Sequence, residues 1–65
     1  MERTIEFINN IRVTFTVVRA GNTFEVWPRL DAYLHSMKVD HAPADEEIAE
    51  YFMGDAAFRR AAGIE

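Results

Sequence analysis

The chain has 65 residues, 49% of them hydrophobic, with 7 Lys and Arg against 11 Asp and Glu for a net charge of −4. That length allows one small domain with a core only marginally able to stabilise it, and the composition excludes a disordered tail. The lack of cysteine excludes a disulfide staple and a thiolate metal site, and no apolar run approaches the length of a membrane span.

Alternation dominates the first half. Ile5 and Phe7, then Ile11, Val13, Phe15 and Val17, then Phe24 and Val26 recur at every second position, the period of strands with one buried face. Three strands follow, at about 3–8, 11–19 and 23–27. Cross-strand partners must share a face, so the first loop must contain an odd number of residues. Ile8-Asn9-Asn10 satisfies this as a bulged turn with Asn10 left-handed. The second loop must be even, and Gly21-Asn22 fits a type II′ turn that pairs Arg19 with Phe24 and Val17 with Val26. The strands form an antiparallel meander whose outer member, Thr23 to Trp27, is an edge.

In the second half the period changes. Pro28 fixes φ for a first helical turn, and Leu30, Tyr33, Leu34 and Met37 fall at i, i+3, i+4 and i+7, predicting a helix at about 28–37 with its apolar stripe on the sheet. Pro43 opens another at about 43–53, where Asp45, Glu46 and Glu47 complement the dipole of the first turn and Ile48, Tyr51 and Phe52 face the core. Gly54 is read as its left-handed stop. Asp55 caps a last helix at about 55–62, anchored by Phe58 and ended by Gly63. One bent helix through Gly54 is the alternative, but the spacing from Phe52 to Phe58 does not sustain a straight stripe. The fold class is α+β, a three-stranded antiparallel meander with two to three short helices on one face.

Two surfaces carry functional readings. Asp40, Asp45, Glu46, Glu47, Glu50 and Asp55 place six carboxylates in sixteen residues without a Lys or Arg. Half of them serve a helix N-terminus, and a solvated helix face explains much of the rest. The other reading is a partner-binding surface. Glu46 and Glu50 lie one turn apart and Glu47 and Glu50 at i, i+3, so their carboxylates line up about 5–6 Å from one another, near the spacing of backbone phosphates. The second surface is the sheet face away from the helices, where Ile8, Val18 and Trp27 are larger and more apolar than solvent requires. Trp27 either folds over the edge of the core or anchors a partner or a second copy.

Other chemistries find little support. Ser36 is the single serine, and neither His35 nor His41 has a carboxylate at a recognised catalytic spacing, so no catalytic residue is assigned and an enzyme is not expected. The two histidines are not on one helical face, and the acidic pairs lack the Gly-punctuated loop of a calcium site, so neither a metal nor another cofactor is expected. Direct nucleic-acid binding is disfavoured by the acidic balance and by strands without interleaved basic and aromatic residues.

In its size, its lack of cysteine, its meander followed by short helices and its concentrated acidic surface, the whole chain resembles small phage-encoded anti-CRISPR proteins. The likeness is one of layout and charge and involves no shared motif. It implies a stoichiometric inhibitor that binds a CRISPR effector complex and blocks target-DNA recognition, with Asp45, Glu46, Glu47 and Glu50 standing in for phosphates at a Lys/Arg-lined site. The competing expectation is a small dimeric antitoxin-like or regulatory interaction module that uses the exposed sheet face. Either reading places a monomer or weak homodimer in the cytoplasm, away from membranes.

Overall fold

The period-two pattern folds as a meander with one strand more than the alternation alone specifies. The computed structural model describes residues 1–64. In chain order it contains β1 (Glu2–Glu6), a short 3-10 turn (Ile8–Asn10), β2 (Arg12–Ala20), β3 (Thr23–Pro28), β4 (Met37–Val39), α1 (Asp45–Met53) and α2 (Ala56–Ala62). The four strands form one antiparallel sheet in the order β1-β2-β3-β4, and the architecture is α+β.

Turn chemistry sets the register. Asn9 and Asn10 take φ of 60° and 61°, and the Phe7 amide donates to the Ile11 carbonyl across the three-residue loop. Ile5 therefore faces Val13 and Arg3 faces Phe15. Gly21 takes φ 64° in the two-residue turn, pairing Arg19 with Phe24 and Val17 with Val26. One-sided burial enforces both registers, because a slip of one residue would turn every core side chain to solvent.

The core lies between one face of the sheet and the two helices. Ile5, Val13, Phe15, Val17, Val26 and Met37 meet Ile48, Phe52 and Phe58 there, and Phe15, Phe52 and Phe58 are completely buried. The ring centroids of Phe15 and Phe52, and those of Phe52 and Phe58, are 5.3 Å apart, within the range where aromatic pairs add to plain area burial.

The segment 28–37 departs from the sequence reading. It is not a helix: Pro28 ends β3 opposite Phe15, residues 31–32 form a turn, and Met37–Val39 pairs with Phe24–Val26. Tyr33 and Met37 fit the helical stripe, but with Val39 they also fit alternation, and the unpaired edge of β3 decides between the two by offering backbone partners. The pairing of Val26 with Met37 cannot continue through Pro28, which has no N–H to donate. In consequence β3 is an interior strand and β4 is the edge. Tyr33 and Met37 are buried, whereas Leu34, expected at the sheet–helix interface, is 79% exposed.

Smaller corrections concern the helix ends. The first helix begins at Asp45 after an extended Ala44, with Pro43 outside it. Gly54 has φ −76°, so α1 stops without a left-handed residue. The break itself lies where the spacing from Phe52 to Phe58 puts it: Asp55 is extended and its side chain accepts the Ala57 amide. At the other end of α2, Gly63 takes φ 75°, its amide donates to the Arg60 carbonyl, and the Ile64 amide donates to the Arg59 carbonyl. Those two bonds form a Schellman closure, and Ile64 is buried as the motif's apolar contact.

Candidate functional site

Bringing β4 alongside β3 and starting α2 at Asp55 opens a groove between them. Its volume is about 620 Å³, and Trp27, Tyr33, Leu34, His35, Ser36, Lys38, Tyr51 and Asp55 line it. These residues come from β3, the connector before β4, β4 itself, α1 and the cap of α2, so no local pattern reveals the site. Three of the large exposed apolar side chains meet here: Trp27 is 38%, Tyr51 53% and Leu34 79% exposed.

Hydrogen bonds hold the aromatic walls. The indole N–H of Trp27 donates to Glu25 Oε1 at 3.2 Å, and Glu25 lies 4.0 Å from Lys38 Nζ on the same sheet face. The Tyr33 ring packs edge-on against His35, Phe52 and Phe58, and its hydroxyl donates to Asp55 Oδ2 at 2.5 Å. Burial, followed by the adjacent Asp55 carboxylate, pushes the Tyr33 phenol above its ordinary range. The same bond, with the Ala57 amide, holds Asp55 below the usual carboxylate range. Asp55 is thus a half-buried, ionised carboxylate beside the Tyr33 ring, with the Tyr33 phenol and the Ala57 and Phe58 amides as its donors and no ion pair among the described residues.

The acidic segment is less uniform than its sequence. Asp45 accepts from Arg3 Nη1 at 3.0 Å, and the same nitrogen donates to the Pro43 carbonyl at 2.7 Å, tying β1 to the start of α1. His41 lies between Asp40, 3.0 Å from Nδ1, and Glu47, 2.7 Å from Nε2. Those hydrogen bonds, Asp40 first, raise the His41 pKa, and the bond with His41 lowers that of Asp40. Asp55 belongs to the groove. Among the described residues only Glu46 and Glu50, of the six carboxylates, have no side-chain partner. Both lie on the exposed side of α1.

Of the three apolar residues expected on the sheet face, Trp27 lines the groove, whereas Val18, 46% exposed, and Ile8, 60% exposed, do not. Tyr51 and Leu34 are the groove residues that sequence reasoning assigned to the core; the sign that separates Tyr51 from Phe52 is its place on the flank of the α1 stripe, next to Glu47 at i, i+4. Among the described residues no group of three or more His, Asp or Glu converges as a metal site would require, and no helix is long and apolar enough to cross a membrane. Comparison with family models, curated proteins and solved structures finds no match, so the site is interpreted from its own geometry.

Proposed function

We propose that this chain is a non-catalytic protein-interaction module that docks a basic segment of a partner protein in the groove. The observation that carries the reading is that Trp27, Leu34 and Tyr51 line one groove together with Asp55. Large rigid side chains clustered in a concavity are the usual anchors of binding energy. Charge supports the choice of partner, since the molecule is acidic overall and the unpartnered Glu46 and Glu50 lie on α1, the helix that supplies Tyr51. A chain without cysteine suits work in a reducing cytoplasm.

The test begins with peptides selected from a random display library against the immobilised protein. The selected ligands are expected to combine Lys or Arg with an apolar residue, and their affinity should fall about tenfold or more for Trp27→Ala and for Tyr51→Ala, as anchor truncations do. Ligands that bind both variants as tightly as the parent would overturn the reading.

Glu46 and Glu50 favour a second reading. Exposed and one turn apart, they suit phosphate mimicry of the anti-CRISPR type, in which the protein occupies the DNA site of a CRISPR effector complex. Asp40, Asp45, Glu47 and Asp55 are engaged within the molecule, which narrows any such mimic to a short stretch. Salt-sensitive competition with target DNA, abolished by Glu46→Lys with Glu50→Lys, would favour it. Competition that persists in this variant would rule it out.

A further inference from the structure

Asp55 sets the chemistry of what the groove holds. Its Oδ1 accepts the Ala57 amide at 2.9 Å, its Oδ2 accepts the Tyr33 hydroxyl at 2.5 Å and the Phe58 amide also bonds to the carboxylate, so with three donors it keeps part of its acceptor capacity while its charge stays unmatched by any ion pair among the described residues. The neighbouring cation, Lys38, is directed to Glu25, and His35 is the other titratable group near the carboxylate. Trp27 and Tyr51, both exposed, offer aromatic surface in the same groove.

A planar guanidinium matches this set better than any other side chain. It is weakly hydrated, stacks on aromatic rings and forms two parallel hydrogen bonds to a carboxylate, whereas an ammonium is strongly hydrated and makes a point contact. We infer that the groove binds an arginine side chain of the docked segment, with the guanidinium paired to Asp55 and stacked on Trp27 or Tyr51. This rests on the docking reading above and names the anchor that the reading leaves open. Trp27 is held by Glu25, so Glu25 acts as a positioning residue for the aromatic wall.

The experiment is a titration followed by two-dimensional 15N–1H NMR, with three capped pentapeptides that differ only at the central residue: Ala-Ala-Arg-Ala-Ala, its citrulline counterpart and its lysine counterpart. The arginine peptide should shift the Trp27 indole N–H and the amides of Tyr51, Asp55 and Ala57. The citrulline peptide, of similar shape and uncharged, should bind about tenfold or more weakly, the equivalent of one charge-assisted contact. Lysine should fall between them. Asp55→Asn, which retains a capping side chain for α2, should abolish the difference between arginine and citrulline while leaving the spectrum folded. Equal binding of arginine and citrulline peptides in the groove would overturn the arginine assignment and leave docking intact. Absence of groove shifts with all three would also overturn it, and the selected peptides with their Trp27→Ala and Tyr51→Ala controls would then judge docking separately.

Discussion

Individual side chains in so small a domain carry unequal weight, and burial decides which. Phe15 is fully enclosed and touches both helices through Phe52 and Phe58, so Phe15→Ala removes a large ring and leaves a cavity that the sheet cannot close. A loss of about 3–5 kcal/mol is expected, comparable with the whole stability of such a chain, and chemical denaturation should find the variant largely unfolded. Leu34→Ala is the opposite case: at 79% exposure it should change stability by no more than about 0.5 kcal/mol. His41 makes stability depend on pH. The bonds to Asp40 and Glu47 raise its pKa above the ordinary 6.5, so their contribution is fully present below that value and disappears as pH rises through the raised folded-state value. Thermal melts should show the parent losing its advantage over His41→Gln on the alkaline side. An advantage that stays constant from about pH 5 to about pH 9 would contradict the clamp.

Among the elements, the strands with local turn signals were legible in the sequence and the one without them was not. The parity of Ile5, Val13, Val17 and Val26, with Asn9-Asn10 and Gly21 at the turns, is enough to specify two registers that the fold reproduces. Residues 28–37 misled because four apolar positions match a helical stripe while only Tyr33 and Met37, continued by Val39, match a strand, and the deciding partner, the open edge of β3, is a tertiary feature. The groove was illegible for the same reason: it exists only after β4, α1 and the Asp55 cap meet. Val18, an exposed apolar residue in the same sheet, stays outside it. The two helix stops separate in a test of their own. Gly63 needs its positive φ, so Gly63→Ala should cost about 1 kcal/mol. Gly54 is right-handed with a Cβ position in ordinary contact with the Tyr51 carbonyl, so Gly54→Ala should be neutral or gain about 0.4–1 kcal/mol. Equal losses in urea unfolding would argue that both glycines are left-handed in solution.

At the scale of the whole molecule, charge and shape are divided between faces. The free edge of β1 carries Glu2 and Glu6 on the open side and points Arg3 inward to Pro43 and Asp45, devices that discourage strand pairing between copies. An antiparallel pair of β1 strands centred on Thr4 would also set Glu2 against Glu6 of the second copy. Copies are therefore not expected to pair through β1, and a stable dimer at low salt would have to use β4, the sheet's other edge, or another surface. On the docking reading, the aromatic groove is the recognition surface and Glu46 and Glu50 are its acidic flank. The most direct test compares Trp27→Ala and Tyr51→Ala with Glu46→Lys plus Glu50→Lys, by calorimetric titration of one selected ligand at low and moderate salt. Groove docking expects the aromatic variants to lose most of the affinity at both salts and the charge-reversed variant to lose a smaller, salt-dependent part. Near-complete loss on charge reversal, with the aromatic variants unaffected, would contradict it.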